Sequence, residues 1–168
     1  HKRAKKLVSI GASVSWFDHH LAGEKIPGIE MYIDTSKNVC TALIVNKYLG
    51  GDDSWARTAL YGDGLGHVIQ EQDSDLAELG ELLNYNGYGE TLDDLLFHPD
   101  ELMQLCLESK TPQGFIKTEA FNMLRDGFTS DIANTESIKM EKGIYMLPNE
   151  PWARRVVGVF AHRLNSQS

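Results

Sequence analysis

The fold is decided by the stretch Val14-Ser15-Trp16-Phe17-Asp18-His19-His20. Its first four residues favour a β-strand, and Gly11 before it and Gly23 after it indicate where that short segment ends. The strand is followed at once by one carboxylate and two imidazoles. Neighbouring side chains of an extended segment point to opposite faces, so we expect His19 and His20 to have different roles rather than to hold one ion together.

The next part of the sequence alternates strand and helix patterns. A strand is predicted over residues 30–33, a helix over 37–49, and a second helix over 55–61 that ends in a glycine-flanked aspartate, Asp63. This alternation is typical of α/β folds, in which ligands collect beyond the carboxyl ends of the strands. We therefore expect Asp63 to close, from the side, a cleft that begins at Asp18.

The rest of the chain is predicted to be mainly helical. The patterns predict helices over residues 75–83, 99–108, 119–134 and 151–164, and a strand over 143–147. The polar run 134–137 is interpreted as a linker. It divides the chain into a first domain, residues 1–134, and the beginning of a second, residues 135–168.

Composition narrows the class of function. The net charge of −8 argues against a protein that coats nucleic acid, because such binding depends on Lys and Arg. A phosphate substrate remains open, since carboxylates that hold cations also add to the negative count. No apolar run approaches the roughly 20 residues of a membrane span, so we expect no membrane partner and a cytoplasmic location. Cys40 and Cys106 lie in apolar helical patterns and are expected to be buried free thiols, which fits a reducing compartment.

Two motifs carry a family resemblance. Asp18-His19-His20 after a hydrophobic strand, and Leu60-Tyr61-Gly62-Asp63-Gly64 further on, resemble the DHH phosphoesterase family, and residues 33–41 between them open a helix as the family's segment does. Residues 82–90 and 143–155 resemble its bacterial, exopolyphosphatase-related branch. The resemblance implies a parallel-sheet DHH-type domain with helices on both faces, followed by the start of a smaller second domain.

The chain also departs from the family pattern at both ends. The family's acidic metal motifs are not found before Asp18, and the glycine-rich substrate motif of the DHH-associated domain is missing after residue 164. We therefore expect an internal piece of a longer protein. If the upstream segments supply bridging carboxylates, residues 1–168 alone are expected to show little manganese-stimulated phosphodiester hydrolysis.

The resemblance also implies roles for the motif residues. His19 and Asp63 are the expected ligands of a divalent cation, with manganese favoured and magnesium or cobalt as substitutes. Asp18 is expected to orient the metal-bound histidine, and His20 to face the substrate phosphate as a donor. Hydrolysis would use two cations, and the substrate would be a small phosphorylated molecule: a short single-stranded oligonucleotide, a nucleotide phosphodiester or polyphosphate.

Several alternatives stay open. A noncatalytic folded fragment with an incomplete metal site is the second hypothesis, and a homodimer is not excluded by the sequence. An unrelated zinc hydrolase is disfavoured, because the chain has neither a His-x-x-x-His nor a Cys-x-x-Cys pairing. Other polar residues have ordinary interpretations beside functional ones, as a helix start, a structural turn or a solvated helix face: His67, Asn84, Tyr85, Asn86, Arg154 and Arg155.

Overall fold

A computed structural model describes residues 2–21, 23–65 and 71–166, and in these ranges the chain is a mixed α/β structure dominated by helices. The elements, in chain order, are α1 (Lys2–Ser9), β1 (Val14–Asp18), β2 (Ile29–Ile33), α2 (Thr41–Leu49), α3 (Ser54–Gly62), α4 (Ser74–Tyr85), α5 (Pro99–Ser109), α6 (Pro112–Phe115), α7 (Glu119–Asn134), β3 (Met140–Glu141), β4 (Ile144–Tyr145) and α8 (Pro151–Ser166). The α/β class expected from the sequence is confirmed at this coarse level.

The parallel sheet is small and sets the edge at which the polar residues meet. Strands β1 and β2 pair in parallel, from Val14 opposite Ile29 to Asp18 opposite Ile33. Just past the pairing, the backbone N–H of Asp34 donates to the carbonyl of Asp18 at 3.3 Å. Helices α1 and α2 both pack on β1. Among the described residues the parallel sheet has two strands, and the DHH-type domain with helices on both faces that the resemblance implies stays a prediction.

The hydrophobic core lies among helices α4 to α7 rather than on the sheet. Helix α4 turns Leu76, Leu79 and Leu82 inward, and each is at most 4% exposed. These helices pack because their apolar residues recur on one face. The core cluster consists of Leu79, Leu82, Phe97, Leu102, Phe115, Ala120, Phe121 and Leu124.

Helices α3 and α4 cross at two glycines. A Cβ at Gly80 would lie 2.3 Å from the carbonyl oxygen of Thr58, and a Cβ at Gly62 would lie 2.7 Å from the carbonyl oxygen of Gly80. Any side chain at either position would therefore force the helices apart. Because Gly62 ends α3, this contact also determines where the next residue, Asp63, can lie.

Ion pairs anchor α8 to the rest of the chain. Arg154 binds both carboxylate oxygens of Asp94, at 2.8 and 2.6 Å. Arg155 donates to Asp131 at 2.8 Å and to the hydroxyl of Tyr85 at 3.0 Å. The prediction of a solvated arginine face is therefore wrong, and neither guanidinium is free to bind phosphate. The buried carboxylates of Asp94 and Asp131 require these partners, since an unpaired buried charge is strongly unfavourable.

Some predicted boundaries differ from the structure. Helix α2 begins at Thr41 rather than at residue 37, because Cys40 is extended, with φ −103° and ψ 164°. The predicted strand over 143–147 is a short antiparallel hairpin of β3 and β4, turned by Lys142 and Gly143 at positive φ. The predicted linker begins as a 3₁₀ turn, Thr135–Ser137, that continues α7. The division of the chain into domains at residue 134 stays a prediction.

The cysteine prediction is only half right. Both cysteines are unpaired, and Cys40 is buried as expected, but Cys106 is only partly buried at the margin of the core cluster. Burial raises the pKa of the Cys106 thiol above its ordinary value. Within the described ranges, no helix is both long enough and apolar enough to span a membrane.

Candidate metal and phosphate site

Three potential metal ligands gather where β1 ends. One ligand atom each from Asp18, His19 and His20 lie within 4.8 Å of one another. The expectation that the two imidazoles point apart is wrong, because their ring centroids are 4.0 Å apart. The reason is local: β1 ends at Asp18, and His19 and His20 lie in a bend, where the alternation of an extended strand no longer applies.

His19 is joined to Asp63 across the fold. Its Nε2 lies 3.2 Å from Oδ2 of Asp63, although the two residues come from the end of a strand and the end of a helix. The expected proximity is therefore present. The imidazole of His19 is largely shielded, with 17% of its side chain exposed, whereas the carboxylate of Asp63 is 46% exposed. A ligand reaching this pair therefore approaches from the aspartate side.

Thr41 holds the other nitrogen of His19. Nδ1 of His19 lies 2.9 Å from Oγ1 of Thr41, the first residue of α2. If Nε2 binds a cation, Nδ1 carries the proton and donates it to this hydroxyl oxygen. Thr41 was not among the site residues expected from the sequence. The sequence does show a hydroxyl residue at the start of the helix that follows the strand. Only the fold shows which imidazole this hydroxyl contacts.

Asp18 forms a separate pair with His20. It accepts hydrogen bonds from the backbone N–H of His20 at 3.0 Å and from Nε1 of Trp16 at 3.3 Å, and its Oδ1 lies 2.9 Å from Nδ1 of His20. The backbone N–H of His20, followed by its side chain, lowers the pKa of Asp18 to about 2. Asp18 was expected to orient the metal-binding histidine, His19. This prediction is wrong, because Asp18 orients the ring of His20. The ring of His19 is contacted by Thr41 instead.

A cavity of about 380 Å³ opens beside His19 and Asp63. The first residues of α2, one side of α3 and the end of α4 form its walls. Asn84, one of the open candidates, is among the residues that line it. The other lining residues are Cys40, Thr41, Ala42, Trp55, Thr58, Ala59, Gly62, Gly80 and Leu83.

The remaining candidates lie away from this cavity or outside the described residues. Tyr85 is 1% exposed, and its hydroxyl donates to Asp131 at 2.5 Å, so it belongs to the core. Asn86 is 3% exposed and is bonded to the backbone of the segment that precedes α5. Asn86 therefore has the structural role of a turn residue, as one interpretation predicted, whereas Tyr85 ends α4 instead of lying in the turn. His67 lies outside the described residues.

Two pairs of side chains meet at this edge of the fold, His19 with Asp63 and His20 with Asp18. Imidazole nitrogens and carboxylate oxygens are both possible ligands of a divalent cation. Comparisons with known proteins identify no family for this chain: no protein-family model, no curated protein and no solved structure matches the sequence. The chemistry of the site therefore has to be inferred from the side chains that meet at this edge.

Proposed function

We propose that this chain carries the cation site of a DHH-type phosphoesterase that hydrolyses a small phosphorylated substrate. The observation that carries the proposal is the meeting of His19 and Asp63, 3.2 Å apart, at the mouth of a cavity. Asp18 and His20 lie beside the same pair. The family resemblance of the two motifs in sequence agrees with this geometry.

The donor set fits one divalent cation held by His19 and Asp63. Ligand atoms that each lie about 2.1 Å from an ion, at right angles to one another, are about 3 Å apart. The observed separation of 3.2 Å needs little adjustment to reach that value. A neutral imidazole nitrogen combined with a hard carboxylate oxygen favours manganese, with magnesium or cobalt as substitutes.

A cation bound there would supply neutralisation of the phosphate charge and a more nucleophilic water near neutral pH. The chain's own residues do the rest. Thr41 fixes the ring of His19 through Nδ1, and Asp18 fixes the ring of His20. His20 has 75% of its side chain exposed, and because Nδ1 donates to Asp18, the protonated ring would donate from Nε2 to a phosphate oxygen that approaches from solvent.

The beginning of α2 supports phosphate binding at the same place. Thr41 and Ala42, its first two residues, line the cavity next to His19. The first backbone N–H groups of a helix lack intrahelical acceptors, and the helix dipole favours an anion there. The carboxylate of Asp63 opposes an anion, so we expect phosphate to bind well only when a cation is present.

Cation binding without turnover is the second candidate function. A two-cation mechanism needs a second group of ligands, and the residues that the structure describes hold one cluster of three such side chains. This observation favours the noncatalytic alternative for residues 1–168 taken alone. The two candidates share the site and differ only in whether a phosphoester is hydrolysed.

Titration with Mn²⁺, followed by calorimetry, tests the shared site. We expect saturable binding that is lost in His19→Ala and strongly weakened in Asp63→Asn. His98→Ala is the matched control, because His98 is an exposed histidine whose ring accepts a hydrogen bond from the backbone of Asp100, at the start of α5. Equal binding by all four proteins would show that the cation lies elsewhere.

Hydrolysis of bis-p-nitrophenyl phosphate then separates the two candidates. Turnover that requires Mn²⁺ and disappears in His19→Ala supports the phosphoesterase. In His20→Ala we expect Mn²⁺ to bind as before and turnover to fall, because the phosphate loses a donor. If Mn²⁺ binds at His19 and Asp63 but no ester is hydrolysed, the chain is a cation-binding fragment.

A further inference from the structure

The cavity beside His19 has walls that a purely inorganic phosphate would not need. Its apolar lining comes from three helices: Ala42 on α2, Trp55 and Ala59 on α3, and Leu83 on α4, with the thiol of Cys40 beside them. Apolar walls stabilise a ligand by removing its apolar surface from water. They do nothing for a hydrated oxyanion.

The hydroxyls that line the cavity already have partners. Thr58 donates from Oγ1 to the carbonyl of Ser54 at 2.9 Å, and Oγ1 of Thr41 lies 2.9 Å from the ring of His19. Thr58 therefore has no proton left for a phosphate inside the cavity, whereas Thr41, which accepts from Nδ1 of His19, keeps its own O–H and lies at the mouth beside His19. We therefore expect a phosphate to bind at the mouth, beside a cation held by His19 and Asp63 and next to the first residues of α2. The other polar side chain of the lining, Asn84, is uncharged.

The charges of the side chains that line the cavity also indicate that the ligand group inside it is uncharged. Among the described residues that line it, none is Lys or Arg. Proteins that bind polyphosphate or a long nucleic acid backbone neutralise several phosphates with such side chains. Here one cation at the mouth would neutralise one phosphate group, so the part of the ligand that enters the cavity must be uncharged.

The size of the cavity limits the uncharged group. An apolar cavity of roughly 150 Å³ is enough to hold benzene in a protein interior. The cavity here measures about 380 Å³, which leaves room for a single ring together with the atoms that connect it to the phosphate. A longer chain of residues or nucleotides would have to leave through the mouth.

We propose that the substrate is a phosphate ester of a ring-sized, uncharged organic group, that this group occupies the cavity lined by Ala42, Trp55, Ala59 and Leu83, and that the phosphate stays at the mouth beside His19. This inference rests on the proposed function for the phosphate. It narrows the substrate class, since it excludes inorganic polyphosphate as the preferred substrate.

Methyl NMR with Mg²⁺ in place of Mn²⁺ tests the cavity directly. Phenyl phosphate, inorganic phosphate and tripolyphosphate are titrated separately while the methyl signals of Ala42, Ala59 and Leu83 are followed. We expect phenyl phosphate to shift these three signals and to bind about tenfold more tightly than inorganic phosphate. Tripolyphosphate is expected to leave the three signals in place.

Two variants make the test specific. Ala59→Leu fills the cavity with a larger side chain on the exposed side of α3, and it should remove the preference for phenyl phosphate while binding of inorganic phosphate is kept. Ala133→Leu makes the same change at an exposed position of α7 and should alter nothing. Both variants keep the cation ligands, so Mn²⁺ binding serves as a check of folding.

Every outcome of these titrations either supports or contradicts the cavity proposal. Equal affinities for phenyl phosphate and inorganic phosphate, tighter binding of tripolyphosphate, or the absence of any shift at the three methyl groups would overturn the cavity proposal even if Mn²⁺ binds as expected. Methyl shifts that persist in His19→Ala would support the ring site while contradicting the cation site. The two proposals can therefore fail separately.

Discussion

Replacement of Gly80 by alanine tests whether the crossing of α3 and α4 holds the site in place. The new Cβ would lie 2.3 Å from the carbonyl oxygen of Thr58, whereas ordinary contact begins near 3.4 Å. The helices must therefore separate by about 1 Å, and overpacking of this kind costs about 1–3 kcal/mol. Alanine in place of glycine in a helix returns about 1 kcal/mol. We expect a net loss of up to about 2 kcal/mol in the free energy of unfolding.

The same movement should weaken the cation site. Gly62 packs against Gly80 and is followed directly by Asp63, so a shift of α3 by about 1 Å changes the 3.2 Å approach of Asp63 to His19. We expect the affinity for Mn²⁺ to fall by about tenfold, as it does when groups that support ligands are disturbed.

Urea unfolding followed by far-UV circular dichroism, with Mn²⁺ calorimetry on the same samples, measures both effects. Gly158→Ala is the matched control, because Gly158 lies within α8 and has nothing within 4 Å of the position of a Cβ. It should leave Mn²⁺ affinity unchanged and stabilise the protein by up to about 1 kcal/mol. A Gly80→Ala protein as stable as the parent, with unaltered Mn²⁺ affinity, would refute the role of the crossing.

Three further changes probe other parts of the chain. Thr41→Val removes the oxygen that contacts Nδ1 of His19, so Mn²⁺ affinity should fall by about 10–100-fold. Thr41→Ser keeps that oxygen and should largely keep the affinity. Equal losses of affinity in the two variants would contradict this role of Thr41. Asn86→Ala leaves three backbone groups, two of them buried and one partly buried, without their partner and should cost about 2–4 kcal/mol in urea unfolding. A cost below about 1 kcal/mol would show that water replaces the amide. Arg154 lowers the pKa of Asp94 below its ordinary value of about 3.9, so this pair stabilises the fold above that pH and the stability is lost as the pH falls below it. Unfolding midpoints at pH 7 and pH 3 should therefore converge in Asp94→Asn, and an unchanged difference would place the acid sensitivity elsewhere.

Local patterns predicted much of the helical fold. One such local pattern is the capping box that begins at Thr91, in which the side chain of Asp94 is bonded to the backbone N–H groups of Glu90 and Thr91. The leucines of α4 face the core because their spacing follows the helical period. These features are set by residues within a few positions of one another, so one sequence is enough to predict them.

The partners of α8 could not be predicted in the same way. Arg154 and Arg155 stand near the start of a helix, where arginines usually face solvent, but they pair with Asp94 and Asp131, which are far away in sequence. Spacing along the chain carries no information about which buried carboxylate a guanidinium will meet. The ion pairs became visible only once the helices were packed.

In the candidate site, one contact was predicted from the sequence and other features were not. The meeting of His19 with Asp63 was expected from the motifs and from the rule that ligands gather at strand ends. The arrangement of the imidazoles was not, because the bend after Asp18 replaces the strand geometry that the prediction assumed. Thr41 was missed because the start of α2 was predicted four residues too early, which placed Thr41 inside the helix instead of at its first position.

The most direct test of the central claim is the identity of the nitrogen that binds Mn²⁺. Electron spin-echo envelope modulation on the protein with ¹⁵N-labelled histidine reports whether an imidazole nitrogen is bonded to the ion. We predict a directly coordinated nitrogen that disappears in His19→Ala and persists in His98→Ala. A spectrum without nitrogen coupling, or a coupling that survives in His19→Ala, would contradict a cation held by His19 and Asp63.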